Sequence, residues 1–166
     1  QVDEIVFEST EPGTTFSWIT NATANIDDEV ASGSGSSIPA HVLTLNNDSS
    51  GSVTYSVTPF LGGCEGTTVD FIINVEPSPT FTLQPVADAV CIDGTTPDLS
   101  VAYINGIGTP SYEWFLTPDT VNPVGTNPTY PPPTDVAGIF SYYVVISFPG
   151  NGGCSDITSD IVDITV

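Results

Sequence analysis

The sequence predicts an all-β fold made of two tandem β-sandwiches, on three observations. Apolar residues alternate with polar ones over short runs, turn residues punctuate the chain too often for long helices, and one half of the chain repeats the plan of the other. In the first half, Val53, Tyr55 and Val57 alternate with Ser and Thr, and Phe71, Ile73 and Val75 follow at the same period. That is the pattern of a strand with one face buried. The second half gives Leu99, Val101 and Tyr103, then Tyr112, Trp114 and Leu116. It continues with Phe140, Tyr142, Val144 and Ile146 and closes on Val162, Ile164 and Val166. Short strands between turns make a sandwich or a barrel.

The repeat is read from its landmarks. Trp18 lies in Thr-Thr-Phe-Ser-Trp-Ile and Trp114 in Pro-Ser-Tyr-Glu-Trp-Phe, each with an aromatic residue two positions earlier. Gly62-Gly63-Cys64 precedes a last strand ending at Val75, and Gly152-Gly153-Cys154 precedes one ending at Val166. From Trp18 to Cys64 is 46 residues and from Trp114 to Cys154 is 40, so the halves differ by insertions in the middle. Each half is long enough to own a core, unlike a solenoid repeat. Between them Glu76-Pro77-Ser78-Pro79-Thr80 reads as a short, stiff joint, because proline fixes its own φ and biases its predecessor toward extended backbone. The expected domains are residues 1–77 and 80–166, held end to end.

Charge narrows the function. The chain has 20 acidic residues and neither Lys nor Arg, for a formal charge of -20. Without cations it has nothing to neutralise phosphates, which argues against nucleic acid and anionic membrane surfaces as partners. No run approaches the ~20 apolar residues of a membrane helix, so direct membrane insertion is not expected. No signal peptide opens the chain, which reads as mature or excised material. Three cysteines, two of them in Gly-Gly-Cys settings, suit an oxidising extracellular compartment.

The residues resemble known families. Pro12-Gly13-Thr14-Thr15-Phe16-Ser17-Trp18, Ala31-Ser32-Gly33-Ser34-Gly35, Ile38-Pro39-Ala40, Val57-Thr58-Pro59 and Gly63-Cys64 resemble the PKD-like domain of secreted Bacteroidota proteins. Cys91-Ile92-Asp93-Gly94, Tyr112-Glu113-Trp114 and Asn151-Gly152-Gly153-Cys154-Ser155 resemble the Ig-like repeats that accompany it. The resemblance implies two immunoglobulin-like/PKD-like β-sandwiches from a giant cell-surface adhesin, of the gliding-motility kind, exported by type IX secretion. It implies a non-catalytic stalk or adhesive surface, no cofactor, and as partners the neighbouring repeat modules and surface glycans or other cell-surface ligands. A carbohydrate-binding or spacer module of a secreted polysaccharide-degrading enzyme, and the subunit of an extracellular filament, are the alternatives. The resemblance also places Ser32 to Ser37 inside the first sandwich as a connection between strands, where composition alone would read a flexible linker.

His41, the single histidine, shares parity with Leu43 and Leu45 and reads as an edge-strand residue satisfied by solvent. Asp27, Asp28 and Glu29 read as solvated turn acids, as do Asp156 and Asp160, rather than as glycosidase carboxylates or calcium ligands. No catalytic residue and no metal ligand is assigned. Pro131-Pro132-Pro133 reads as a stiff loop at the sandwich end. Asn21 and Asn47 open N-glycosylation sequons, while Asp119-Thr120-Val121 makes Thr120 the better modification candidate by resemblance to the O-glycosylation pattern of the same bacterial group. Trp18 and Trp114, on the third strand of their domains, are expected in the cores.

A bond between Cys91 and Cys154 is expected as a staple at the end of the second sandwich, closing a loop of 62 residues and contributing about 4 kcal/mol. Cys64 is then unpaired within the chain. By the shared plan its partner is expected just upstream of Gln1, so that the first domain is N-terminally incomplete.

Overall fold

The computed structural model describes residues 1–148 and 156–166. The chain forms two compact units, Gln1–Pro77 and Ser78–Val166. All regular structure among the described residues is β. The first unit contains β1 (Ile5–Val6), β2 (Thr15–Ala22), β3 (Ile26–Asp27), β4 (Gly33–Ser34), β5 (Ser37–Ile38), β6 (Thr44–Leu45), β7 (Gly51–Leu61), β8 (Cys64–Glu65) and β9 (Val69–Val75). The second contains β10 (Thr80–Leu83), β11 (Asp88–Ala89), β12 (Leu99–Ser100), β13 (Ala102–Ile104), β14 (Ser111–Leu116), β15 (Thr129–Tyr130), β16 (Ile139–Ser147), β17 (Ile157–Thr158) and β18 (Val162–Thr165).

In the first unit β7 is the central strand. Its alternation buries Gly51, Val53, Tyr55 and Val57 on one face. One edge pairs antiparallel with β2, from Thr15 opposite Phe60 to Ala22 opposite Val53, and the other pairs with β9 and β8. Facing this sheet are the short pairs β1·β5 and β3·β6. Phe7, Trp18, Ile26, Ile38, Val53, Tyr55 and Val57 close the core between them. The Gly/Ser segment from Ser32 to Ser37 crosses between the layers: β4 pairs with β2, and β5 pairs with β1. Gly33 stands across from Trp18, and a Cβ there would lie 2.5 Å from the indole ring, so only glycine fits.

In the second unit β16 is the central strand. It pairs with β14 on one side and with β17 and β18 on the other, and β11 adds a parallel strand to the far edge of β18. The opposing layer is β10·β13 and β12·β15. Leu99, Trp114, Tyr142, Val144, Ile146, Phe148, Val162 and Ile164 form the core. The single strand expected from Leu99 to Tyr103 is broken at Val101: β12 pairs with β15, whereas β13 pairs with β10. Changing partners across one residue interrupts the ladder while keeping the apolar parity. The second unit also takes in Ser78 and Pro79, part of the expected joint. Pro79 is buried, and Asn105 Nδ2 donates to the Ser78 carbonyl at 3.3 Å.

The two units repeat each other in register as well as in sequence. Trp18 lies opposite Val57, and Trp114 opposite Val144. Two residues farther along, Thr20 faces Tyr55 and Leu116 faces Tyr142. Each indole N–H is satisfied by a carbonyl 13 residues downstream: Trp18 Nε1 donates to Ala31 at 3.1 Å, and Trp114 Nε1 to Asn127 at 3.0 Å. An indole can be buried only with such a partner.

Candidate functional site

A concavity of the first unit, about 790 Å³, is bordered by Phe7, Glu11, Pro12, Gly13, Phe16 and Phe60 together with several hydroxyl side chains. Those hydroxyls serve the loop. Thr14 Oγ1 donates to the Glu11 carbonyl at 2.7 Å, and Ser9 Oγ accepts from the Glu11 amide at 3.1 Å. Neither histidine nor cysteine borders the concavity, and Glu11 is the one carboxylate that does.

His41 is held by protein groups, a correction to the expected solvent partner. Nδ1 lies 2.9 Å from the Pro39 carbonyl, which can only accept. The proton therefore sits on Nδ1, and Nε2 accepts from the Tyr55 hydroxyl at 2.6 Å. Tyr55 is fully buried, and burial raises its phenol pKa, with the Glu29 charge adding to the rise and a backbone hydrogen bond from Val30 opposing it. With both ring nitrogens engaged, His41 gives a buried tyrosine its hydrogen-bond partner.

The acids lie at the surface and bind their neighbours. Thr44 Oγ1 donates to Asp28 at 2.8 Å, and Asn46 Nδ2 to Asp27 at 3.4 Å. Asp28 adopts φ +64°, a left-handed turn geometry that aspartate tolerates. Asp156 and Asp160 are exposed. Among the described residues no three His, Cys, Asp or Glu side chains converge to hold a metal ion.

Thr120 is exposed in a turn organised by Asp119. The Asp119 carboxylate accepts from the amides of Val121 (2.8 Å) and Asn122 (3.1 Å) and from Asn122 Nδ2 (3.0 Å). These donors, the Asn122 side chain first, lower its pKa to about 2. Within the proline triplet, Pro132 is buried between two exposed neighbours, so the segment packs against its own unit. Trp18 is 7% exposed and Trp114 0%.

Cys64 and Cys91 are free and exposed, and Cys154 lies outside the described residues. The expected Cys91–Cys154 bond therefore lies outside the described residues.

The feature that sequence reasoning missed is an open edge. Among the described residues β9 pairs with β7 alone. The Pro59 carbonyl accepts from Gly66 on the β8 side, so by alternation Val53, Tyr55 and Val57 turn their backbone groups toward β9. Asp70, Ile72 and Asn74 are left with N–H and C=O directed outward. Beside this edge a groove of about 270 Å³ is lined by Val6, Phe7, Phe16, Val57, Val69 and Phe71, among others. Val69 is 53% exposed, Phe71 40% and Ile72 65%. The signal was present in the sequence: Phe71-Ile72-Ile73 breaks the alternation and makes both faces of the strand apolar.

Residues 4–79 match the family model of the PKD-like domain. Among solved structures the chain is similar to chicken VE-cadherin EC1-2, at 12% identity, covering 100% of this chain and 92% of that one, with a TM-score of 0.33. No curated protein matches the chain.

Proposed function

We propose that the chain is a non-catalytic repeat module of a large extracellular, cell-surface adhesin, serving as stalk or adhesive surface. The observation that supports this reading best is the plan built twice, with Trp18/Tyr55/Val57 and Trp114/Tyr142/Val144 in matching registers. Duplication of a self-contained sandwich extends reach, and each unit spends its conspicuous aromatic and polar groups on its own core. The PKD-like match over residues 4–79 supports a repeat module of the adhesion type. The finer assignment, to Bacteroidota adhesins of the gliding-motility type exported by type IX secretion, rests on the sequence resemblance. Its partners would be neighbouring modules and cell-surface ligands such as glycans. A chain without Lys or Arg offers trypsin-like proteases no cleavage site, which suits exposure outside the cell.

Single-molecule stretching of the chain tests the stalk role. The expected trace has two separate unfolding events, each lengthening the tether by roughly 25 nm, the contour of one extended unit less its folded span. Extension without force peaks, or a single event of the combined length, would contradict it.

A further inference from the structure

We infer that the outer face of the second unit's large sheet holds a binding site for a neutral pyranose residue of a glycan, one with equatorial substituents, at Tyr143 and the loops flanking it. This rests on the adhesive side of the module reading and gives that reading a site. The geometry is set by β16. Ser141, Tyr143 and Val145 alternate with the core residues Tyr142 and Val144, so they point outward. Across the strand pair Tyr143 faces Phe115, and the two rings stack at 5.2 Å with 20° between their planes. Phe115 is only 5% exposed although it lies outside the core. The Tyr143 ring is thereby held against the β14 side, and toward β17 and β18 it borders a pocket of about 400 Å³. That volume falls in the range of small-molecule sites.

Both rims are pinned. On the β14 side the Thr117 amide donates to the Ser141 carbonyl at 2.8 Å, and the Tyr143 hydroxyl donates to the Asp119 carbonyl at 3.4 Å. On the other side Ser159 Oγ accepts from the Val144 amide at 3.0 Å and donates to the Asp160 carbonyl at 2.9 Å. Pro118 thus reaches the pocket from one flank of β16, and Ile161 from the other. Thr117, Thr120 and Thr158 line it as well, and no hydroxyl of the three has a protein partner among the described residues. The concavity of the first unit differs on this point, since Ser9 and Thr14 there are engaged by the Glu11 turn. A pyranose with equatorial substituents carries C–H groups on both faces and hydroxyls around its rim. Such a ring suits an aromatic side chain and apolar walls edged by groups that both donate and accept. No carboxylate among the described residues borders the pocket, in a chain with 20 acids, so nothing there selects a cation. An anionic sugar meets a formal charge of -20 and is repelled. Neutrality is therefore part of the fit.

The test titrates the full, isotope-labelled chain with methyl β-D-glucopyranoside and follows the amide shifts by NMR. The expected result is saturable binding with a Kd on the order of 1 mM. Shifts should centre on Thr117, Thr120, Tyr143 and Thr158, leave the first unit unchanged, and stay the same as salt is raised. Tyr143→Leu should weaken binding about tenfold, whereas Tyr143→Phe keeps the ring and should retain it. Thr158→Val should weaken it by about two- to tenfold. The dispersion of each variant's spectrum shows whether it is folded. Methyl β-D-glucuronide should bind less well than the neutral glycoside. Absence of saturation, shifts centred elsewhere, undiminished binding by folded Tyr143→Leu, or cyclohexanol moving the same amides as strongly as the sugar would overturn the inference. Two unfolding events under force with no sugar binding would remove the site and leave the stalk, whereas a single event would count against the stalk whatever the sugar does.

Discussion

The two units carry the same central strands in the same register, yet β18 has neighbours on both sides while β9 has one. The comparison separates what a sandwich needs for its core from what it needs for its edges. Trp18 and Trp114 are equally well provided with a carbonyl, and Tyr55 and Tyr142 occupy matching places in the sheets. The first core closes without strands equivalent to β10 and β11. What remains uncovered among the described residues is backbone and apolar surface along one margin.

The largest effects should come from the tryptophans and should stay within one unit. Trp114→Ala removes a side chain with 0% exposure, its hydrogen bond, and its stacking on Tyr130. A loss of about 3–5 kcal/mol is expected. In urea, followed by NMR of each unit, it should shift the transition of the second unit alone, and Trp18→Ala that of the first alone. A common shift would mean that the units do not fold separately.

Gly33→Ala should be next, at about 1–3 kcal/mol, since the added methyl meets a rigid indole. Gly125→Ala gives the paired comparison, because Gly125 bridges to Trp114 and its Cβ would meet the Tyr130 ring at 2.7 Å. If alanine at Gly33 leaves the first unit's midpoint unchanged, β4 does not lie against Trp18 as described.

Alkaline pH should erode the second unit. Burial, reinforced by the neighbouring Tyr130, pushes the Tyr142 phenol up to about 12 from its ordinary 10. Between those values the folded state keeps a proton that the unfolded state has released, so stability is fully present below pH 10 and declines as pH rises toward 12. Tyr142→Phe should flatten that dependence in a melting series. An unchanged slope would assign it elsewhere.

The smallest effect is expected at the cysteines. With Cys91 free and exposed, a reductant should leave the second unit's melting temperature unchanged. Peptide mapping that finds Cys91 in a disulfide would contradict it.

Legibility in the sequence followed the length of the strands. β7, β14 and β16 were visible because six or more residues of alternation leave no other period. Two-residue pairs such as β1·β5 and β3·β6 are too short to carry a period, and they form because the large sheet offers an apolar face to cover. β11 lies close after Pro85 in a stretch without strand pattern, and its parallel pairing is a tertiary event. His41 shows the same limit. Its parity with Leu43 and Leu45 holds, but its partner Tyr55 lies 14 residues away and becomes a neighbour only in the fold.

Native-state amide exchange of the free chain tests most directly whether one plan is closed in the second unit and open in the first. By register Ile73 corresponds to Ile164, and Asn74 to Thr165. Ile73 and Ile164 turn inward to the central strands, and both amides should exchange slowly. Thr165 turns toward β11, where its carbonyl accepts from Val90, and its amide should be slow as well, whereas the amide of Asn74 should exchange rapidly. Slow exchange at Asn74 comparable to that at Thr165 would contradict an open edge on β9.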